Sequence, residues 1–222
     1  MMASNSTRAL GKSVLHGFNA PIRVLVAYGS AVKAQAGQKA DDSMVDFIFG
    51  VEDAREWHDV NLKQHPLHYA TAMLLGGSRF VAWVQALGAG VFYNTLVPFE
   101  GRRIKYGVVT TERLEHDMRQ WDDMYLSGRL HKPVDVICST PSFDKALTIN
   151  RTNALQTALL MLPPTFTQEQ LFTTIAGLSY AGNSARVSSV CLISKGVNPC
   201  RRLSNDVRGE PLQGGQHCQG TI

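Results

Sequence analysis

The chain has 222 residues, with 22 lysine and arginine side chains against 18 aspartate and glutamate side chains, which gives a formal net charge of +4. Hydrophobic residues make up 44% of the chain and charged residues 18%, which is ordinary for a globular protein and excludes a collagenous, coiled-coil or wholly disordered chain. No uncharged apolar run approaches the ~18 residues that a membrane-spanning helix needs, so we expect any membrane contact to be peripheral.

The first 40 residues contain five basic side chains and no acidic one. Together with its serines and alanines, this composition is compatible with a mitochondrial or plastid transit segment. An ordinary N-terminus fits the composition equally well. No long apolar run is present here, which disfavours a secretory signal, and we set residues 1–20 apart from the domain that follows.

Five strands are predicted from apolar, β-branched runs that end at glycine-rich or polar segments. They cover residues 22–27, 45–51, 90–97, 103–110 and 134–138. The first strand ends at Gly29-Ser30, and a glycine-rich polar loop separates it from the second. A short turn at Glu100-Gly101 predicts that the third and fourth strands form a hairpin or lie side by side.

Four helical segments are predicted: residues 53–87, 111–128 and 144–162, and a last helix that begins at Thr167. The first is broken at Pro66 and at Gly76-Gly77. The second is amphipathic, because its apolar residues recur at spacings of four, three and four. Proline residues end the third, and Thr167 and Gln170 form a capping-box pattern before the fourth.

Beyond residue 182 the apolar periodicity fails. Residues 183–222 are rich in serine, glycine, asparagine and glutamine, carry five basic and two acidic side chains, and hold three of the four cysteines. We expect this tail to be loosely ordered. Strands first and helices after predict an α+β fold, with a sheet domain over residues 21–140 and a small helical unit over residues 141–182.

Charge and cysteine content disfavour two kinds of site. The basic tail leaves residues 1–182 nearly neutral, without the clustered basic face that binds nucleic acid. Four cysteines without a Cys-x-x-Cys pair predict neither a disulfide framework nor a zinc site. His65 and His68 have the spacing of a helical metal-binding pair, but Pro66 interrupts the helix and no cysteine or nearby acid completes the set.

Gly29, Ser30 and Asp46 point to phosphoryl chemistry. The glycine lets backbone N–H groups approach a phosphate closely, and the serine hydroxyl adds a donor. An acid on the neighbouring strand can hold Mg²⁺ against the same phosphates. Taken alone, the pattern more often marks a simple turn followed by a structural aspartate.

Nine segments resemble, in order, the mitochondrial translocator assembly and maintenance family, which comprises the mitochondrial phosphatidate cytidylyltransferases. The most specific are KYGVV (105–109) and YLSGRLHKPV (125–134). The other seven are YGSAV (28–32), VDFIFGV (45–51), WHDVNL (57–62), HYA (68–70), GAGVFYNTL (88–96), LPPTFTQEQL (162–171) and IAGLSYAG (175–182). The resemblance extends over residues 22–182.

The resemblance implies a nucleotidyltransferase domain of the DNA-polymerase-β type, followed here by a truncated helical, winged-helix-like unit. It implies the Mg²⁺-dependent reaction of CTP with phosphatidate, which gives CDP-diacylglycerol and pyrophosphate. It also implies a location at the matrix face of the mitochondrial inner membrane, where the product feeds cardiolipin synthesis. For this chain, the expected substrates are therefore CTP and phosphatidate, with peripheral contact to an anionic membrane.

The resemblance assigns Gly29 and Ser30 to the triphosphate and Asp46 to the metal. The wider superfamily carries Asp-x-Asp on this strand, whereas Ile48 stands two residues after Asp46 and cannot bind a metal. Glu52 follows six residues after Asp46, roughly 20 Å along a strand, so it cannot share the ion. We expect one carboxylate, with nucleotide oxygens and water, to hold Mg²⁺. A carboxylate from elsewhere stays open as a second ligand: Asp41, Asp42 or Asp53.

The two later strands carry four candidate nucleotide-binding residues: Tyr93, Asn94, Lys105 and Tyr106. Lys105 and Tyr106 are consecutive, so only one of them faces the pocket if the strand is regular. We favour Lys105, directed toward phosphate, and assign it a catalytic role with Ser30 and Asp46; a solvated edge lysine is the alternative. Tyr93 and Asn94 are placed at the base or sugar, with a packed core aromatic as the alternative for Tyr93.

Arg129, His131 and Lys132 form a compact basic loop that ends at Pro133. Such a loop suits the phosphate of phosphatidate or anionic headgroups, although bare charges of this kind are by default a solvated loop. Five apolar residues of the first helical segment are assigned to the core or to one face of the lipid entry: Met73, Leu74, Phe80, Val81 and Trp83.

Two alternative functions stay open. A polymerase-like transferase that acts on a nucleic acid or a protein hydroxyl is disfavoured by the nearly neutral body of the chain. The other is a truncated or alternatively spliced family member that binds nucleotide but has little or no catalytic activity. It rests on the residues after Gly182, where the family pattern continues and this chain has an unrelated tail.

Overall fold

A five-stranded mixed sheet lies at the centre of the computed structural model, which describes residues 2–29 and 44–180. Ser30, Asp41, Asp42 and the tail of residues 183–222 lie outside the described residues. Residues 1–179 belong to one compact unit, and a second unit begins at Tyr180. The predicted α+β class is confirmed.

The strands are β1 (Val24–Tyr28), β2 (Val45–Val51), β3 (Phe92–Phe99), β4 (Arg102–Thr110) and β5 (Asp135–Cys138), in the spatial order β3-β4-β2-β1-β5. Strand β1 runs antiparallel to both β2 and β5. Strand β2 runs parallel to β4, and β3 and β4 form an antiparallel pair. The predicted hairpin is confirmed, and its turn contains Gly101 in the left-handed region, with φ at +75°.

The helices are α1 (Met2–Gly17), α2 (Ala54–Gln64), α3 (Thr71–Ala86), α4 (Thr111–Gln120), α5 (Ser127–Leu130), α6 (Pro141–Met161) and α7 (Gln168–Leu178), with a 3₁₀ turn at Pro66–His68. The predicted break inside the first helical segment is confirmed at Gly77, whose φ of 66° interrupts α3. The predicted capping box of Thr167 and Gln170 is also present at the start of α7. Among the described helices, none combines the length and the apolar character that a membrane crossing requires.

Both faces of the sheet are covered, which explains the continuous apolar runs of β1 and β2. We call the two sides the α1 face and the α4 face. Helices α1 and α2 cover the α1 face, where Val14, Phe49 and Tyr106 are buried. Helices α4 to α6 cover the α4 face, where Ile48, Leu114 and Phe143 are buried. The N-terminal segment thus contributes to the core through α1, whose Leu10 and Val14 pack on the sheet.

The predicted helix over residues 111–128 is wrong beyond Gln120. Trp121 adopts the left-handed conformation, with φ at 61°, and ends α4. Its indole N–H donates to Asn150 Oδ1 over 2.7 Å, so a contact with a distant helix stabilises this ending. The chain then turns before it forms the short helix α5.

In α3 the core alternative is wrong for part of the assigned residues, and for these the lipid-entry alternative stays a prediction. Val81 is fully buried, but Leu74 and Trp83 are exposed, and the side chain of Trp83 stacks on the ring of Phe80 at 5.7 Å. The kink at Gly77 changes the direction of the helix and so breaks the apolar periodicity on which that assignment depended.

Candidate functional site

Asp46 lies between Tyr28 and Lys105 in the register of three adjacent strands. Tyr28 of β1 is its partner on one side, and Lys105 of β4 is its partner on the other. Registered partners point to the same side of a sheet, so all three side chains emerge on the α4 face. The Lys105 Nζ is 4.0 Å from the Asp46 Oδ2, and each of these two side chains is about a quarter exposed. The pair therefore lies at an accessible edge of the α4 face.

Tyr93 of β3 completes one wall of this site. It is paired in register with Gly107, and a Cβ at Gly107 would come within 2.5 Å of the Tyr93 ring. The missing side chain at Gly107 therefore makes room for the ring. The Lys105 Nζ lies 4.8 Å from the ring centroid, a cation–π distance. The hydroxyl of Tyr93 is 3.5 Å from that of Tyr28.

Arg129 approaches the same site from helix α5. Its guanidinium lies 3.9 Å from the ring centroid of Tyr125 and donates to the Tyr125 carbonyl oxygen. The Tyr125 ring in turn meets the Tyr93 ring at 6.4 Å, edge to face. Aromatic contacts thus link the arginine to the lysine, although the two residues belong to different elements.

Burial and neighbouring positive charges have opposite effects on the pKa of the Asp46 carboxylate. Burial raises the pKa of Asp46 above its ordinary value, while the positive charges of Lys105 and Arg129 act in the opposite direction. Its Oδ1 atom is buried and has no hydrogen-bond partner among the described residues. A buried carboxylate oxygen without a donor is costly, so this atom suits a cation that arrives with a ligand.

Gly29 begins the loop that follows β1, directly beside this carboxylate. Its φ of +85° lies in the left-handed region, which strongly favours glycine. A Cβ at this position would lie 3.6 Å from the Asp46 Oδ2. Gly29 therefore brings the backbone next to the carboxylate of Asp46.

The donor set fits Mg²⁺ only with help from a substrate. Among the described residues, no three His, Cys, Asp or Glu side chains come together as a metal site. Glu52 lies beyond the far end of β2, where it binds Arg23 at 2.8 Å. Asp53 follows it and accepts from the Glu56 amide at the start of α2. Because Asp53 and Asp46 are at opposite ends of β2, the open assignment of Asp53 as a second ligand is wrong. Mg²⁺ is commonly held by one or two carboxylates and substrate phosphates, which is the arrangement that Asp46 allows.

Tyr106 and Asn94 lie on the other side of the sheet, apart from Asp46 and Lys105. They are registered partners on the α1 face and are 0% and 3% exposed. The Tyr106 hydroxyl accepts from Asn61 Nδ2 at 2.9 Å and lies 2.9 Å from His68 Nδ1. Their assignment to the nucleotide is therefore corrected: strand alternation separates both residues from the Lys105 side.

The predicted basic loop is not a single cluster. Arg129 belongs to α5, and His131 ends this helix as a buried residue, 6% exposed. Burial lowers the pKa of His131 to about 4, and the charge of Lys132 acts in the same direction, so the ring is neutral near pH 7. Lys132 donates to the Ser179 hydroxyl at 2.8 Å. Of the three, Arg129 is the residue that the structure brings to Asp46.

Tyr28 and Tyr125 also belong to the site, although no role was predicted for either of them. The spacing of four residues between Tyr125 and Arg129 is a signal for an aromatic–cation pair. Tyr28 precedes Gly29, but its position beside Asp46 depends on the pairing register of β1 and β2. That register cannot be predicted from the sequence alone.

The comparisons with known proteins agree with the resemblance. The family model described as "Phosphatidate cytidylyltransferase, mitochondrial" matches residues 11–189. Proteins of that name from Xenopus laevis, Schizosaccharomyces pombe and Homo sapiens are 45%, 43% and 40% identical to this chain. The alignments cover 177, 171 and 176 residues, or 78%, 77% and 78% of this chain and 52%, 44% and 39% of the respective relatives.

The chain thus spans about half the length of the curated relatives it matches, or less. The matched region contains Gly29, Asp46, Lys105 and Arg129. By the extent of this match, the chain belongs to the mitochondrial phosphatidate cytidylyltransferase family.

Proposed function

We propose that the chain transfers a cytidylyl group from CTP to phosphatidate, giving CDP-diacylglycerol and pyrophosphate. The observation that carries this proposal is the position of Asp46 between the charges of Lys105 and Arg129, beside the glycine that begins the loop after β1. A reaction between two phosphate compounds requires cationic groups and a metal-binding acid close together, because they neutralise the negative charge of the phosphates. Family membership supplies the identity of the two substrates.

The fold proposed for this activity is a nucleotidyltransferase domain of the DNA-polymerase-β type. A strand that ends at a glycine, followed by an antiparallel neighbour with an acid beside that glycine, supports the assignment. Helices α6 and α7 are the start of the proposed winged-helix-like unit.

In the proposed reaction, an oxygen of the phosphatidate phosphate forms a bond to the α-phosphorus of CTP, and the bond from that phosphorus to the pyrophosphate oxygen breaks. The protein's task is to align the two phosphates and to stabilise the charge that develops on the leaving pyrophosphate. Lys105 is assigned to the triphosphate, because its ammonium lies 4.0 Å from the Asp46 Oδ2, the same oxygen that lies beside Gly29. Ser30 keeps its assignment as a further triphosphate donor.

Asp46 is the residue that would hold Mg²⁺, which on binding neutralises charge on the triphosphate oxygens. Arg129 is assigned to the lipid phosphate, since a guanidinium can donate to two phosphate oxygens at once. Tyr93 lies between the lysine and the α5 side of the site and is assigned to the nucleotide.

The proposed place of action is the matrix side of the mitochondrial inner membrane, with peripheral contact to anionic lipid and with the product used for cardiolipin synthesis. The relatives' names include the word mitochondrial. A lipid substrate requires the enzyme to work at a membrane surface, and Arg129 provides a basic group for an anionic headgroup.

A second candidate is a chain that binds nucleotide but turns over phosphatidate poorly. It is favoured by the apolar side chains that α6 and α7 leave exposed: Leu155, Leu159, Leu160, Met161 and Phe172. The matched region is about half of the relatives' length or less, so further chain is available in the relatives to cover such a surface. A helical unit with an uncovered apolar face supports the site less firmly.

Transfer of label from α-labelled CTP to phosphatidate vesicles in the presence of Mg²⁺ tests the proposal. Label in the lipid fraction, with release of pyrophosphate, supports the cytidylyltransferase. Nucleotide binding without lipid labelling supports the second candidate instead. Absence of both CTP binding and transfer contradicts the proposal.

A further inference from the structure

Asp117 of α4 is a buried carboxylate whose partners are backbone amides. The residue is 3% exposed. Its Oδ2 accepts from the amide N–H of Leu126 at 2.9 Å and from the amide N–H of Ser127 at 2.8 Å. A buried charge is costly unless hydrogen bonds satisfy it, so these two amides define where the carboxylate can lie. Conversely, the carboxylate fixes the backbone at the start of α5.

Asn150 of α6 holds the same point from the other side. Its Nδ2 donates to the carbonyl oxygen of Ser127 at 3.0 Å, and its Oδ1 accepts from the Trp121 indole at 2.7 Å. Asn150 is fully buried. The amide and the carbonyl of Ser127 are thus both bound by side chains from longer helices.

Helix α5 depends on these contacts because it is short. It has four residues, and a helix of this length is not stable by itself. Arg129 lies two residues after Ser127, and the ring under its guanidinium belongs to Tyr125, one residue before Leu126. The bound amides therefore lie between the arginine and the aromatic ring on which it rests.

We propose that Asp117 and Asn150 are positioning residues that hold α5 so that Arg129 reaches the site of Asp46, Lys105 and Tyr93. Neither side chain is assigned any contact with substrate. Their role is to fix a cationic group within the small tolerance that phosphate alignment requires. The assignment of Arg129 to a substrate phosphate rests on the proposed function, whereas the position of Arg129 does not.

Asp117→Asn in the full chain is the central experiment, with Glu115→Gln as the matched control. Glu115 is also a largely buried carboxylate on α4, but its partners are Arg119 of the same helix and Ser142 of α6. Native-state hydrogen exchange should be at least about 10-fold faster at the amides of Leu126 and Ser127 in Asp117→Asn, because a charge-assisted acceptor is lost. In Glu115→Gln these two amides should exchange as in the unmodified chain.

The position of Arg129 is measured directly by the NMR signal of its side-chain Nε–H, which is assigned by its disappearance in Arg129→Ala. Because the guanidinium lies over the Tyr125 ring, we expect this signal in the unmodified chain to differ from that of a free arginine. We expect it to move toward the value of a free arginine in Asp117→Asn and to stay in place in Glu115→Gln. An unmoved Arg129 signal in Asp117→Asn would overturn the proposal, whatever the activity of the chain.

A double-mutant cycle tests the link to catalysis. Asp117→Asn and Arg129→Ala should lower phosphatidate turnover to a similar degree, and the double variant should be no worse than Arg129→Ala. Independent, additive losses would show that Asp117 acts on stability rather than through Arg129, and would contradict the proposal. If Asp117→Asn does not fold, Asn150→Ala takes its place. It removes the donor to the Ser127 carbonyl oxygen, so the Arg129 signal and the double-mutant cycle have the same expected outcomes.

These outcomes separate the two proposals. Failure of CTP binding and of lipid labelling in the unmodified chain contradicts the proposed function. It leaves the hydrogen-exchange and Arg129 signals available as tests of the positioning role.

Discussion

Asp46 and Lys105 face each other across the parallel strands β2 and β4, with 4.0 Å between the carboxylate Oδ2 and the ammonium Nζ. A charge-assisted hydrogen bond needs about 2.7–2.9 Å, so the two groups attract each other without being bound directly. The separation leaves the lysine free to donate to a phosphate oxygen and the acid free to ligate a cation. One carboxylate and one ammonium, on two strands, thus provide both signs of charge that a metal–triphosphate complex requires.

CTP in the presence of Mg²⁺ should protect the chain from thermal unfolding more than ATP does. A ligand at about 100 times its dissociation constant adds about 2.7 kcal/mol of stability. For a chain of this size, that corresponds to a shift of several degrees in the melting temperature. Thermal scans with each of the four ribonucleoside triphosphates measure the effect. Equal shifts for all four would remove the case for a cytidine site.

Asp46→Asn should lower turnover by more than about 10-fold while the fold stays intact. The near-isosteric amide cannot neutralise a metal ion. Because burial raises the pKa of Asp46, the amide should also leave the melting temperature without metal unchanged or higher. The exposed acid Asp59 on α2 provides a control, and Asp59→Asn should leave turnover unchanged. Retention of more than about a tenth of the activity in Asp46→Asn would make this residue structural.

Arg129→Ala and Lys132→Ala should have different effects, although the sequence placed both residues in one basic loop. Arg129 is assigned to the lipid phosphate, whereas Lys132 contacts the end of α7. Loss of a charge-assisted contact worth about 1.5–3 kcal/mol predicts a 10- to 150-fold lower kcat/KM for phosphatidate in Arg129→Ala. Lys132→Ala loses its bond to Ser179, near the end of α7, and should lower the melting temperature more than the turnover. Steady-state kinetics with CTP and phosphatidate varied in turn distinguish the cases. A change confined to the KM for CTP would assign Arg129 to the nucleotide.

Acid should destabilise the chain between about pH 6.5 and pH 4. Burial lowers the pKa of His58, His68 and His131 to about 4, so in the folded protein these rings stay neutral where the unfolded chain already binds protons. Because the unfolded state then binds more protons, the free energy of unfolding falls as pH falls. The raised pKa of Asp46 has the opposite effect on the free energy of unfolding. It is a single group, whereas three histidines act in the first direction.

Urea unfolding at a series of pH values measures this dependence. His58 is fully buried and lies within hydrogen-bonding distance of the Tyr69 hydroxyl, at 2.8 Å, and of Gln85, at 3.1 Å. Its contribution alone approaches about 3 kcal/mol at the acid end. His58→Gln should flatten the pH dependence, and a change at the exposed His16 should not. A stability that is constant from pH 7 to pH 4.5 would contradict the expectation.

The strands were predictable because local chemistry determines them. Strand β2 was assigned over the observed residues, since both of its faces are buried and its apolar run is continuous. The end of α4 was not predictable, because it depends on Trp121 meeting Asn150, 29 residues later. The site shows the same division. The alternation of side chains along a strand predicts that Lys105 and Tyr106 lie on opposite faces of the sheet. The position of Arg129 was not predictable, because it depends on contacts of α5 with α4 and α6.

The last prediction concerns the apolar surface of α6 and α7. Leu159 and Phe172 are 45% and 58% exposed in the described part of the chain, which is unusual for neighbouring helices of a helical unit. The relatives are about twice as long as the matched region. The second candidate therefore predicts that the 222-residue chain binds CTP but turns over phosphatidate poorly.

Fusion of residues 1–182 to the C-terminal region of the Xenopus relative tests this expectation, because that region is available to bury the apolar surface. Phosphatidate turnover should rise severalfold in the fusion protein, whereas the melting shift produced by CTP should change little. Leu159→Gln and Phe172→Gln provide the matched comparison. Both changes should be tolerated in the 222-residue chain, where these side chains are exposed, and should lower the melting temperature of the fusion protein, where they are expected to be buried. Equal turnover by the two proteins would show that the surface needs no cover for catalysis.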